Sequence, residues 1–415
     1  MDVQPRCFDK VVQMMMKGVD IPNPLTLDIG DEVNVDHISG RDVRIYPGCR
    51  IYGAGTVISA GARIGYEGPV TLDDCQLGPK VELKGGYFNR SVFLEKANMG
   101  LGAHVREGCI LEEEAGGAHC VGIKQTILFP FVTLGSLINF CDCLMAGGTS
   151  RKDHSEVGSS YIHFNFTPDG DKTTASLIGD VPRGVMLNQR PIFLGGQGGL
   201  VGPLIMGYGN VVAANSVLRN DYPGDNKLIV GKTHSGRTID FKPGTYPNLS
   251  RIVGNNIIYI ANLMALKEWY VHVRRPFLER QEFGGLMFSG LIDKLALAKE
   301  ERLKRLKMLA DKVRTSGQSD EYAGKNAAGK NEFCEGFEQV EKVFASAGGD
   351  GATEKARDGL LSLMDKAGAG ENYIEVVRGF DAEMSGRGTA WLQGVVDACC
   401  NRVRELLPSL NLFAK

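Results

Sequence analysis

The side chains most able to do chemistry in this 415-residue chain are a small set of histidines and cysteines. His104, His119, His154 and His163 all fall before the chain turns helical in texture, and His154 closes the polar run Ser150-Arg151-Lys152-Asp153-His154. A histidine titrates near neutrality and is the natural base for stripping a proton from an amine or hydroxyl. The same histidines with Cys141 and Cys143 are the best candidates for a metal set, but they do not fall at ligand spacing, so no metal is expected. Cys399 and Cys400 are adjacent, and the ten cysteines form no disulfide framework; they read as reduced thiols. Gly231-Lys232-Thr233 has the ending of a phosphate loop, but the glycine needed five residues earlier is Asn226 and no strand-to-helix context surrounds it. The dinucleotide fingerprint is absent as well.

Composition narrows the classes. A formal charge of −2 with no dense basic stretch argues against a nucleic-acid surface. The longest apolar runs, such as Ile257 to Leu266, are too short for a membrane span, and no basic-then-apolar leader follows Met1. The expected location is the cytoplasm.

The elements that must position these groups show themselves as a repeat. Aliphatic residues recur every sixth position in three stretches: Ile45 and Ile51, then after a one-residue slip Ile58, Ile64 and Val70; Met99, Val105 and Leu111; and Leu194, Leu200, Met206, Val212 and Leu218. A period of six is neither helical nor the alternation of a two-faced strand. It predicts a β-solenoid in which each hexapeptide gives one short strand, one inward aliphatic residue and one corner, with Gly, Ala or Asn where the backbone turns left-handed. The stretch from Glu112 to Val185 reads as irregular, and its loop Thr167-Pro168-Asp169-Gly170-Asp171-Lys172-Thr173 is the kind of excursion a solenoid tolerates at a corner.

After Pro247 the periodicity becomes helical. The reading divides the chain into a lead-in helix and first strand over 1–40, a β-helix over 41–245, long helices over 246–314, a flexible linker over 315–331 and a small helical bundle over 332–415. The bundle reads as a capping or assembly domain.

Three motifs carry a resemblance. Met15-Met16-Lys17-Gly18-Val19-Asp20-Ile21-Pro22-Asn23-Pro24, the Asn165-Phe166…Asp169-Gly170…Lys172-Thr173…Ile178-Gly179-Asp180 loop, and the run from Ile192-Phe193-Leu194-Gly195 through Leu200-Val201-Gly202-Pro203 to Val212-Ala213-Ala214 and Leu218-Arg219-Asn220 are similar to the hexapeptide-repeat acyltransferase family. Within it, they resemble the acetyltransferase half of the bacterial bifunctional enzymes that acetylate glucosamine 1-phosphate and then uridylylate it. The resemblance implies a left-handed parallel β-helix, a homotrimer with sites between subunits, and acetyl-CoA as acyl donor. It places CoA against Gly196, Ala213 and Ala214 with Arg219 on its phosphate, an acceptor sugar phosphate or nucleotide sugar against Arg106, Asn165, Phe166 and Lys172, and the base at His154, with His163 in reserve.

This sequence departs from the family in four places. The lysine shortly after the family's Asn-Phe pair, here Asn139-Phe140, gives way to Leu144 and Met145. The span from His154 to Asn165 is short, Phe166 lacks the family's tyrosine hydroxyl, and extra residues separate Asp180 from Ile192. The nucleotide-transferring half is missing, so no pyrophosphorylase activity is expected. Two functions follow: an acyl-CoA-dependent acyltransferase, or a non-catalytic nucleotide-sugar binder or scaffold on the same solenoid. A histidine within reach of an acceptor pocket facing Arg219 would separate them.

Overall fold

The computed structural model describes residues 4–231, 236, 238–316, 327–345, 351–367, 370 and 372–413. Most of the span read as a linker lies outside these residues.

The hexapeptide signal folds as a parallel β-solenoid of about 11 turns. Three faces wind around one core. Face one stacks Arg44–Ile45, Arg63–Ile64, Glu82–Leu83 and their successors up to Leu228–Ile229. Face two runs from Asp28–Ile29 to Val217–Leu218, and face three from Val57–Ile58 to Ile205–Met206. The aliphatic residues at period six, from Ile45 to Leu218, are buried. Each such Leu or Ile contributes about 1.5–3 kcal/mol by leaving water.

Between Leu72 and Met99 the inward column continues as Leu77, Leu83, Phe88 and Phe93, all buried, with several rungs only five residues long. This is why the sequence shows gaps in the period there. The region read as irregular also stays in the coil: Val121–Leu128 and Ile138–Met145 pair in register over two faces and bend at Gln125 and Asp142, both at positive φ. True excursions occur after Met145, where Gly148–Ser150 and Asp153–His154 form a small hairpin, at the 165–175 loop, and around helix α2 described below.

Many corners are not glycine. Lys80, Lys96, Glu114 and Phe131 stack at one edge with φ of 58°, 58°, 57° and 70°. A left-handed residue costs about 1–2 kcal/mol, and each of the last three regains a hydrogen bond to the coil beneath, from Lys96 to Pro79, Glu114 to Glu95 and Phe131 to Glu113.

Helix α1 (Phe8–Met16) closes the first coil with Val11 and Met14 buried, and the Lys10 ammonium donates to the carbonyls of Gly30, Asp31 and Val33. Helix α2 (Val181–Gly184) is capped by the Asp180 carboxylate. Helix α3 (Leu249–Trp269) continues through a π-helical turn, Tyr270–Arg274, into α4 (Arg275–Leu278), and α5 (Gly284–Ser316) returns antiparallel. The pair lies lengthwise on face three. Asn255 donates to Asp221, Asn262 accepts from Val181, and Arg274 reaches Glu112; on the way back Gly290 abuts Gln76 and Arg302 reaches Asp142. Beneath them the outward residues of face three, Val57, Val92, Ile110, Ile127, Leu144 and Leu177, are apolar and buried. Leu249–Leu278 is apolar and long enough to cross a membrane by composition alone, but 78% of its most apolar window is buried against the rest of the protein. Helices α6 (Ala327–Ala345), α7 (Gly351–Ala367), α8 (Tyr373–Arg378) and α9 (Ala382–Leu406) pack outside this pair, and Gly388 of α9 fits against Met186 beside α2.

Candidate functional site

Gly196, Ala213 and Ala214, three of the four residues named for CoA, gather at the corner between faces one and two. Gly100, Ala118, Gly135, Gly158, Gly195 and Ala213 occupy equivalent places in six consecutive coils, and each donates its backbone N–H to the coil above. The approach is too close for larger residues: a Cβ on Gly158 would lie 2.4 Å from the Gly196 nitrogen, and one on Gly195 would lie 2.4 Å from the Ala214 nitrogen. Ala214 is exposed and Ala213 and Gly196 half-buried, so the ladder faces solvent. Arg219 stands at the far edge of face two in the same coil as Ala213 and is exposed.

Beside this ladder a groove of about 550 Å³ opens over face one. Gly116 and Gly117 form its floor, while Lys84, His119, Thr133 and Arg151 form its walls. Glu67 holds the Lys84 ammonium at 3.1 Å. Arg151 projects from the tip of the hairpin and donates to the carbonyls of Glu114 and Phe131 at 3.0 Å, and to the Thr133 hydroxyl.

His154 sits directly behind Arg151. Its Nε2 accepts from the Arg151 guanidinium at 3.1 Å, and its Nδ1 is buried without a partner. Burial, and then the Arg151 charge, pull its pKa below the usual histidine value. The lone pair a base would use is thus occupied. His163 was read as a residue beside the Asn165 loop, yet it points into the core, stacked over Leu200 and edge-on to Phe140. The Ser176 hydroxyl accepts from Leu204 N–H at 3.1 Å and so is left to donate to His163 Nε2 at 2.7 Å. Burial lowers the His163 pKa to about 4.

The four acceptor residues do not converge. Arg106 donates to the Cys141 thiol at 3.4 Å, and Asn165 donates to Asp142 at 3.0 Å, both at the opposite corner, between faces two and three. Asp142 also takes a 2.8 Å bond from Arg302 of α5. Lys172 instead lies over the Phe166 ring at 5.9 Å, within the 165–175 loop. The apolar Leu144, where the family carries a lysine, now has its reason: it faces outward from face three, beneath the helix pair. All ten cysteines are free, and among the described residues no His, Cys, Asp and Glu group is arranged to hold a metal.

Fold and groove together define a hexapeptide-repeat β-solenoid with one face jacketed by its own helices. The chain is similar to bacterial proteins named "Bifunctional protein GlmU". It is 26% identical to that of Trichlorobacter lovleyi over 228 residues, covering 55% of this chain and 44% of the relative. With the Fervidobacterium nodosum protein it shares 28% over 217 residues, or 51% of this chain and 42% of the relative. With the Carboxydothermus hydrogenoformans protein it shares 28% over 232 residues, or 56% and 46%. The chain therefore spans less than half the length of these relatives, in their C-terminal half. No protein-family model matches it.

His119, read from the sequence only among metal candidates, lies on the groove wall with its Nδ1 3.0 Å from the Ser136 hydroxyl of the next coil.

Proposed function

We propose that the protein is an acyl-CoA-dependent acyltransferase that acetylates an amino sugar, sugar phosphate or nucleotide sugar. The observation that carries this reading is the unbroken ladder of small residues from Gly100 to Ala213, because it lets an extended thioester arm lie flat against backbone beside a groove lined by Lys84, Glu67 and Arg151. Arg219, across face two from the ladder, would grip the CoA phosphates, since its planar fork stays charged and meets two oxygens at once. Lys84 and Arg151 would hold the acceptor's anionic group.

A homotrimer is the assembly the resemblance implies, and the cytoplasm is the location expected from the sequence. Faces one and two remain open for it. Each carries exposed apolar columns near the last coils, Phe193, Val211 and Leu228 on one and Ile162 and Val217 on the other. Sedimentation velocity at micromolar concentration would read the trimer directly.

A second reading, the non-catalytic nucleotide-sugar binder, is favoured by one observation: His154 and His163 both have their Nε2 lone pairs engaged. Isothermal titration decides between the two. Acetyl-CoA binding that Arg219→Ala weakens by about tenfold or more, the scale of one charged hydrogen bond, supports the transferase. Binding of a UDP-sugar with none of acetyl-CoA would leave the binder.

A further inference from the structure

We infer that the cleft between helix α8 and the hairpin after Met145 is a binding site for a small sugar carrying a phosphate monoester, separate from the face-one groove and independent of whether that groove transfers an acyl group. The cleft measures about 370 Å³, at the lower end of the range for small-molecule sites. Arg151, at the hairpin tip, lines this cleft on one side and the groove on the other, so the two cavities share its side chain as a partition.

Both walls are held before any ligand arrives. Arg274, 1% exposed, clasps Glu113 of the coil through bonds of 2.6 and 3.1 Å, and its guanidinium lies 3.9 Å from the centre of the Tyr373 ring. Tyr373 in turn accepts from Trp269 Nε1 at 2.8 Å. Since Tyr373 is the first residue of α8, a helix of only six residues, too short to persist alone, is fixed against the coil. Arg274 reaches Glu113 from the π-helical turn, a departure from regular helix that recurs at functional sites. On the opposite wall, the bonds from Arg151 to the Glu114 and Phe131 carbonyls anchor the hairpin tip and with it Lys152. A site with its supports in place loses less freedom on binding.

The uncommitted charges define the ligand. Glu113 is engaged by Arg274, and Glu95 and Glu114 both face Lys96, at 3.6 and 3.9 Å. Lys152 on one wall, and Glu375 and Arg378 on the other, line the cleft with side chains that meet no partner among the described residues. The Asn372 side-chain oxygen accepts from Glu375 N–H, which leaves its amide N–H groups to donate. Two free cations match a phosphate monoester, which carries about −1.5 to −2 at neutral pH, and the Arg378 fork can meet two of its oxygens at once. Glu375 can only accept, so it repels a bare anion and requires donors on the ligand. The hydroxyls of a sugar supply them. Ile374 adds an apolar edge for the carbon face of the ring.

The test is calorimetric titration of the full chain with glucose 1-phosphate, a simple member of the class, with inorganic phosphate and glucose alongside, on wild type and on Lys152→Ala, Arg378→Ala, Glu375→Ala and Lys84→Ala. Glucose 1-phosphate is expected to bind saturably and glucose not at all. Lys152→Ala and Arg378→Ala should each weaken that binding by about tenfold or more, the scale of one charged hydrogen bond, with the thermal midpoint unchanged because both side chains are exposed. Lys84→Ala, which alters only the groove, should bind as wild type does. Glu375→Ala should weaken glucose 1-phosphate while inorganic phosphate binds as tightly as before or more so, since the repelling carboxylate is gone. Wild type that binds no glucose 1-phosphate, or binding that Lys84→Ala abolishes and the Lys152 and Arg378 variants leave intact, overturns the assignment. Inorganic phosphate binding as tightly as glucose 1-phosphate, with Glu375→Ala affecting the two alike, would reject the sugar. Acetyl-CoA binding, which decides the acyltransferase reading, is measured separately and can fail without touching this site.

Discussion

The Arg302 guanidinium of α5 lies 2.8 Å from the Asp142 carboxylate at the bend of the Ile138–Met145 strand, and both side chains are more than nine-tenths buried. Asp142 is also the acceptor for Asn165, so a single carboxylate ties the helix pair, the coil and the 165–175 loop together. Removing one partner of a buried pair leaves the other as an uncompensated charge, which costs about 3–5 kcal/mol. Arg302→Met is therefore expected to lower the unfolding free energy measured by urea denaturation by that much. Arg302→Met with Asp142→Asn should recover part of the loss, because no charge is then stranded. A double variant as unstable as the sum of the singles would show that the two side chains do not act as a pair.

A second link between helices and coil responds to pH. Arg274, in the π-helical turn, bonds Glu112 at 2.8 Å and Glu113 at 2.6 Å, and Tyr270 donates to Glu112. Burial outweighs the Arg274 attraction and the Glu112 carboxyl rises to about 7. A carboxyl with a folded pKa above its unfolded value binds more protons in the native state, so its contribution is full below about pH 4.5 and is lost as pH climbs to 7. Glu112→Gln keeps a neutral side chain at every pH. Its denaturation midpoint relative to wild type should improve between pH 5 and pH 7.5, and a constant difference across that window would exclude a titrating Glu112.

The fold was legible where the period of six was intact, as from Leu194 to Leu218, because the inward residue repeats without interruption and the corner stays small. It was less legible from Leu72 to Phe93, where five-residue rungs hide the same column. The helical texture of α3 and α5 could be read from spacing, but their seat on face three could not. The signal for that seat was present in Val92, Ile110, Ile127 and Leu144, apolar at positions that point out of the coil, yet inward and outward residues are neighbours along the strand and sequence alone does not say which is which. The site suffered most. Arg106 and Asn165 match a motif but converge on a corner that α5 covers, whereas His119 and Ser136 lie 17 residues apart and meet only because one coil returns above the next.

His163 makes the acid side of the stability profile testable. Its folded pKa of about 4 lies below the unfolded histidine value, so the unfolded chain binds the extra proton first. The sign is opposite to that of Glu112: stability tied to neutral His163 is complete above about pH 6.5 and falls as pH drops toward 4. His163→Leu places an apolar side chain between Phe140 and Leu200 and cannot take up a proton. It leaves the Ser176 hydroxyl without its acceptor, which costs about 1–3 kcal/mol at all pH values. The expected result is a variant less stable than wild type at pH 7 whose disadvantage shrinks by pH 4.5. Equal slopes from pH 7 to 4.5 would mean that the His163 pKa is the same in the folded and unfolded chain.

The ladder at the corner of faces one and two allows stability and donor binding to be separated. Gly158 has no room for a side chain, since its Cβ would meet the Gly196 backbone at 2.4 Å. Gly158→Val must therefore push two coils apart, and overpacking of this kind costs about 1–3 kcal/mol. Ala214 is on the same corner but exposed, and substitutions at such surface positions stay within about 0.5 kcal/mol. Ala214→Leu should thus melt with wild type while filling the track proposed for the thioester arm. Acetyl-CoA affinity is expected to fall in both, with the thermal midpoint lowered only in Gly158→Val. If Ala214→Leu binds acetyl-CoA as wild type does, the arm does not follow this corner, because a branched side chain there could not leave an arm packed against the backbone undisturbed.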